Sequence, residues 1–237
     1  MSDVNTGCGL AGMRSLKAGS VDLVFCDLPS GDTRASFDVP IDLAEFWAAA
    51  WPALSPSGAV VLMASSFSFA CDVRASQRRW LRYDLVWEKT RATGHLNAKR
   101  QPMRCHEHLL VFYRRQPAYE SQKTQGHEPM HTARGSGRSV NYGQQTNDVA
   151  DRGGSTERHP RSVLKFAPVP NVGNARRHPQ QKPLPLLDWV IRSYTRAGDL
   201  VVDPCAGSGS AGVAARAAGR DFIGWDIDPK PPALEPQ

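Results

Sequence analysis

No stretch of this 237-residue chain approaches the roughly 18 apolar residues that a membrane-spanning helix needs. The first thirty residues carry acids and no signal-peptide core, so a soluble, cytoplasmic protein is expected. Paired cysteines are missing too. The five present (Cys8, Cys26, Cys71, Cys105 and Cys205) are scattered, with no C-x-x-C, which argues against a disulfide framework or a zinc site and for reduced thiols. No repeat recurs at a solenoid period. The one dense acid and histidine group, His106-Glu107-His108, is read as giving no metal site, its histidines facing different neighbours and Glu107 orienting Arg104 or a backbone amide.

Large aliphatics are also scarce between Gln116 and Arg161, where Gly, Ser, Gln, His and Arg prevail. Such a segment cannot bury a core of its own and reads as loop-rich. The positive charge collects around it. From Arg114 to His178 eleven Lys and Arg face five acids, which accounts for the whole formal charge of +6, because the remainder balances at 18 against 18. A concentrated excess of this kind points to a polyanionic partner.

What is present alternates. Val21–Cys26 reads as a buried strand stopping at Asp27-Leu28-Pro29-Ser30-Gly31; 41–54 has helical spacing; 59–64, 83–87 and 109–113 read as strands, with a helix over 66–79. After Pro183 come a helix over 184–195, a strand over 200–203, a glycine turn, a helix over 211–218 and a strand over 221–225. Strand and helix in alternation predict an α/β sheet with helices on both faces.

The passage from Leu200 to Gly212 followed by Asp226 has the form strand, glycine turn, helix, acid-tipped strand. Glycines admit a ligand close to the backbone, the helix start offers free N–H groups, and an acid at the second strand tip suits ribose hydroxyls. A nucleoside-containing ligand is therefore expected. Only 28 residues follow Gly209 (210 to 237), too few for a second mononucleotide half, so the other strands come from earlier in the chain and a nicotinamide enzyme is disfavoured.

Asp27-Leu28-Pro29, a basic insert, His178-Pro-Gln-Gln-Lys-Pro183, Asp203-Pro-Cys-Ala-Gly-Ser-Gly-Ser210 and Phe222-Ile-Gly-Trp-Asp226, in that order, resemble the β-class amino-methylating DNA methyltransferases. The resemblance implies a Rossmann-like methyltransferase fold with a mostly parallel, seven-stranded sheet in permuted order. It implies a catalytic half over 1–113, a basic target-recognition insert over 114–178 and a cofactor half over 179–237. It also implies methyl transfer from S-adenosylmethionine to an exocyclic amine of double-stranded DNA, adenine N6 being favoured over cytosine N4 because the tetrapeptide begins with Asp27 rather than serine.

Carried over residue by residue, Asp27, Leu28, Pro29 and Ser30 would be catalytic. Asp203, Cys205, Ala206, Gly207, Gly209 and Ser210 would hold the methionine part of the cofactor, Asp226 the ribose, and Gln181 and Lys182 would lie near the cofactor carboxylate. Cys8, in Gly7-Cys8-Gly9, stands where relatives carry an aspartate against the adenine. Lys89, Arg91, Arg104, Arg134, Arg138, Arg152 and Arg158 are the expected DNA contacts. The chain departs from the family at Ser30, where relatives have an aromatic that stacks on the flipped base; Phe37, Trp47 and Trp87 are the rings weighed as replacements. An active enzyme and an inactive or weakly active DNA-binding relative both stand open at this point. So do a homodimer and a cognate nuclease.

Overall fold

The structure is a computed structural model that describes residues 4–33, 35, 38–129, 154–170 and 181–227. It divides into two compact units, one of Met1–Glu120 with Arg161–Gln237 and a small one of Ser121–Pro160. The larger unit carries the sheet. Its strands are β1 (Val4–Thr6), β2 (Val21–Asp27), β3 (Leu54–Ala64), β4 (Leu81–Thr93), β5 (Arg104–Phe112), β6 (Val163–Phe166), β7 (Leu200–Asp203) and β8 (Asp221–Asp226), and its helices are α1 (Gly9–Ser15), α2 (Leu43–Ala53), α3 (Phe67–Ser76), α4 (Leu184–Tyr194) and α5 (Ser210–Ala217).

The strand order is β1-β8-β7-β2-β3-β5-β4-β6, with β5 antiparallel to both of its neighbours and the other ladders parallel. The sheet thus has eight strands among the described residues where seven were expected. The short edge strands β1 and β6 lack the apolar runs by which the central strands announce themselves: Val4-Asn5-Thr6 holds one large aliphatic, and Lys165 interrupts Val163-Leu164-Lys165-Phe166.

Side chains of a strand alternate between faces, and the core divides accordingly. Leu23, Phe25, Val61, Met63, Leu109 and Val111 pack with Leu186, Val190 and Ile191 of α4 and Ala211 and Ala214 of α5. Val24, Cys26, Val60, Leu62, Leu110 and Phe112 pack on the other face with Phe46, Trp47 and Ala50 of α2 and Phe69 and Val73 of α3. A strand covered on both faces has no polar side, which is why β2 reads as an unbroken apolar run. The helices begin where side chains satisfy their free N–H groups: Asp42 accepts from Ala44 and Glu45 at the start of α2, and Ser66 from Phe69 at the start of α3.

In the small unit, Thr124 and Arg158 exchange backbone hydrogen bonds (3.0 and 2.9 Å), and Glu157 accepts from Lys123 (2.9 Å) and Gln125 (2.6 Å). Its described residues include neither helix nor strand.

Candidate functional site

Asp27 and Asp203 end neighbouring parallel strands. The β2–β7 ladder pairs Leu23 with Val201 and Val24 with Val202, so both acids lie at the carboxyl end of the sheet. From β2 the chain proceeds through α2 to β3 on one side, and from β7 through α5 to β8 on the other. Such a switch point opens a crevice at the strand ends, the usual ligand site of open α/β sheets. Strand alternation also puts Asp27 on the face of Leu23 and Phe25, and Asp203 on that of Val201, which is one and the same face.

Asp27 forms an ion pair with Lys182, which immediately precedes Pro183 and α4. Burial pushes the Asp27 carboxyl up from its ordinary value, Lys182 pulls it back, and nearby Glu107 pushes it up again. After Asp27 the backbone is shaped by Asp38, whose Oδ1 accepts from Ser30 N and Gly31 N (both 2.8 Å) and whose Oδ2 accepts from Thr33 N (2.8 Å) and Thr33 Oγ1 (2.7 Å). Leu28 is buried, and Pro29 and Ser30 are half-buried. Asp38 escaped the sequence reading; its only signal is an acid eight residues past a turn serine.

The glycine motif forms the second wall. Gly207 N donates to Asp226 Oδ2 (2.9 Å), Ala206 N to Trp225 O (2.8 Å), and Gly209, at φ +70°, is the N-cap of α5. Asp203 Oδ1 accepts from Cys205 N (3.0 Å). Burial pushes the Asp203 carboxyl up to about 7, Cys205 N–H opposing and the Asp27 charge adding to it. Ser210 and Gln181 are buried, and Cys205 is half-buried. Gly9 brings α1 against this loop so closely that a Cβ there would lie 1.9 Å from Pro204 O, while Cys8 is exposed at the start of α1 and Gly7 N donates to Asp226 O (2.9 Å). This donor set fits S-adenosylmethionine: two carboxylates for cationic and hydroxyl groups, beside a helix start with no side-chain cap.

The remaining expected residues are placed less uniformly. Lys89 pairs with Glu107, with its ammonium 5.1 Å from the Trp87 ring centroid. Arg91 is exposed, and Arg104 Nη1 donates to Ser65 O. In the small unit, Arg158 donates to the carbonyls of Ser155 (2.7 Å), Glu157 (2.8 Å) and Glu128. Arg134, Arg138 and Arg152 lie outside the described residues, as does Phe37.

Several readings need correcting. Trp47 and Trp87 are core residues, 4% and 3% exposed, and their indole N–H groups are engaged by Ser76 Oγ and Phe166 O (2.9 Å each), so neither ring is presented to a base. Phe67, at the first turn of α3 and 5.9 Å from the His108 ring, is the most exposed of the described phenylalanines and tryptophans, at 68%; its neighbour Ser66 hydrogen-bonds Asp32. His106 and His108 sit on one face, 5.4 Å apart, since residues two apart on a strand point the same way. Glu107 orients neither Arg104 nor an amide: it meets Lys89 and Lys182. Among the described residues there is no group of three or more His, Cys, Asp and Glu side chains that could hold a metal ion, and no helix is long and apolar enough to cross a membrane.

Comparison with known proteins gives one consistent family. The N6/N4 DNA methylase family model matches residues 21–231. The type II methyltransferase M2.DpnII of Streptococcus pneumoniae is 48% identical over 54 residues, 23% of this chain and 20% of that protein. The DNA adenine methyltransferase YhdJ of Escherichia coli is 49% identical over 51 residues, 22% of this chain and 17% of its own. A longer match, 28% over 151 residues, is to the type II methyltransferase M.XycI of Xanthomonas campestris and takes in 64% of this chain and 41% of that one. The aligned parts thus span less than half the length of these curated relatives. Among solved structures, the M1.HpyAVI–SAM complex superposes with a TM-score of 0.63 at 19% identity, covering 95% of this chain and 92% of that one. The cytosine-N4-specific PvuII DNA methyltransferase gives 0.67 at 15% identity, covering 95% and 81%. These two establish a shared fold.

Proposed function

The chain belongs to the N6/N4 DNA methylase family, and we propose that it methylates an exocyclic amino group of double-stranded DNA, adenine N6 in preference to cytosine N4. The observation that carries this is the meeting of Asp27 with Asp203 at the carboxyl ends of adjacent strands, beside the Gly207–Asp226 cradle. Asp203, Gly207, Ser210 and Asp226 would hold S-adenosylmethionine, with Cys8 at the rim. When bound, this cofactor supplies a methyl group made electrophilic by a sulfonium sulfur.

The chain's own task is to make a poor nucleophile attack. An aromatic amine has its lone pair delocalised into the ring. The Asp27 carboxylate and the Leu28 carbonyl each accept one N–H, which favours a pyramidal nitrogen with its lone pair free for in-line displacement. Pro29 holds the turn and has no N–H to compete for the carboxylate. The nitrogen gains a methyl and must shed one proton, and Asp27 is the acceptor at hand. The amine is paired inside the duplex, so the base has to leave the stack first. The name of YhdJ supports adenine, that of PvuII shows that the fold also serves cytosine, and the type II relatives support a restriction-linked role.

Ser30, together with the burial of Trp47 and Trp87, favours a second reading in which the protein binds DNA and transfers methyl weakly or not at all. Base–aromatic stacking is worth about 1–3 kcal/mol, enough to depopulate a flipped state. Duplex DNA incubated with cofactor labelled in its methyl group separates the two. Label in N6-methyladenine, falling about 100-fold or more in Asp27→Ala, is the expected result; tight duplex binding without label establishes the second reading instead.

A further inference from the structure

Behind Asp27 runs a line of alternating charges that the transfer reaction as described leaves without a role. Lys89 of β4 is paired with Glu107 of β5, the second oxygen of Glu107 lies 3.7 Å from Lys182 Nζ, and Lys182 pairs with Asp27 of β2. The strands that contribute these groups span the sheet from β2 across β3 and β5 to β4. Side-chain exposure is 10% for Lys89, 9% for Glu107 and 8% for Lys182, but 25% for Asp27. Only the Asp27 end opens outward. Glu107 Oε2 has no hydrogen-bond partner within ordinary distance, so its position is set by charge.

Burying such a series costs several kcal/mol per ion before attraction returns any of it, and apolar side chains of similar volume commonly do as well or better for stability. A purely structural role explains it poorly. We propose that Lys182 is a positioning residue for Asp27, and that the Lys89–Glu107 pair anchors Lys182, so that a buried four-charge chain holds the Asp27 carboxylate as a fixed anion at the target amine. This rests on the reading of Asp27 as the group that receives the amine, and it gives Lys182 a task other than the cofactor carboxylate.

The charges around Asp27 make the chain's effect directional. Facing it are Lys182 ahead of α4, Glu107 of β5, Lys89 of β4 and Asp203 of β7, with Cys26 on its own strand; Asp226 and Cys205 stand behind Asp203. Burial lowers the tendency of Lys182 to hold its proton, but Asp27 and Glu107 outweigh it and keep the ammonium charged. Likewise, burial pushes the Glu107 carboxyl up while Lys182 and Lys89 bring it below its ordinary value. Removing the cation and removing the carboxylate must therefore move Asp27 in opposite senses.

The test is a ¹³C NMR pH titration of the Asp27 carboxyl in the full chain, assigned by its loss in Asp27→Asn, with the pH dependence of methyl transfer measured alongside. In Lys182→Met the Asp27 midpoint is expected to rise by about one pH unit or more, and the acid side of the rate profile to rise with it. Lys182→Arg keeps the charge and leaves the midpoint near that of the parent. In Glu107→Gln, which preserves shape, the midpoint falls. An unmoved midpoint in Lys182→Met, or a shift of the same sign in both variants, overturns the proposal; should Lys182→Met not fold, an unmoved midpoint in Glu107→Gln overturns it alone. Opposite shifts in a protein that transfers no methyl leave the charge chain standing and sink the methyltransferase reading, whereas transfer with unmoved midpoints does the reverse.

Discussion

Burial raises the Asp203 carboxyl to about 7, so this residue trades stability for charge as pH rises. A group held above its unfolded value, near 3.8, contributes stability that is complete below that value and lost as pH climbs through 7. Three pH units at 1.36 kcal/mol each set an upper bound of about 4 kcal/mol. Asp203→Asn retains an oxygen for Cys205 N–H and removes the titration. Urea unfolding at pH 5 and pH 8 should show the parent losing stability between them and the variant staying flat, ending about 2–4 kcal/mol more stable at pH 8 while binding cofactor poorly. Equal pH dependence in both would mean that Asp203 does not carry the effect. Its place in the site was legible, because an acid before a glycine turn has a fixed position relative to the strand end. The partners of Glu107 were not: Lys89 and Lys182 meet it only because β4, β5 and the approach to α4 converge, which no local pattern encodes.

Among the elements, those with a covered apolar face declared themselves: β2, α4, β7 and β8 lie close to where hydrophobic periodicity places them, and β3 ends where expected but begins at Leu54, ahead of the strand read over 59–64. α1 did not. Its seven residues begin at Gly9 and include Gly12, a composition that disfavours helix, and the reason for both glycines lies elsewhere in the chain. A Cβ on Gly12 would sit 2.1 Å from the Trp225 ring, in β8, just before Asp226. On helix propensity alone Gly12→Ala should stabilise by about 1 kcal/mol. The close packing reverses the sign, and a loss of about 1–3 kcal/mol is expected in thermal unfolding, accompanied by weaker cofactor binding through displaced Asp226. A stabilised variant would mean that α1 packs against β8 more loosely than this. The segment 89–104, which lies between the strands expected over 83–87 and 109–113, is the end of β4 and the start of β5, paired at Thr93 and Arg104 around a short 3-10 turn at His95–Asn97. Its polar residues hid the strands because a ribbon beyond the sheet has no buried side.

On the scale of the whole molecule, the division into units relocates the positive charge. The 114–178 segment carries the +6, but within the compact unit Ser121–Pro160 five cations (Lys123, Arg134, Arg138, Arg152, Arg158) meet four acids (Glu128, Asp148, Asp151, Glu157), leaving +1. The other +5 comes from the flanks: Arg114, Arg115, Arg161, Lys165, Arg176 and Arg177 against Glu120. Arg114 stacks on Trp51 and Trp80, and Lys165 pairs with Glu88 at 3.2 Å, which leaves Arg115, Arg161, Arg176 and Arg177; the last three, all on the C-terminal flank, are the set to test together against a phosphate backbone. Each phosphate contact contributes roughly 0.9 to the slope of log affinity against log salt. The triple change of these three to Gln should lower that slope by about 2–3, against a smaller drop when Arg134, Arg138 and Arg152 are changed together, because acids in their own unit already offset them. Cofactor affinity, which the proposed site assigns to Asp203, Asp226 and backbone N–H groups, should respond little to salt in either variant. If the slope drops more with the second set, the recognition of DNA belongs to the small unit despite its near neutrality; if cofactor affinity follows salt as steeply as DNA affinity, the two sites are not electrostatically separate.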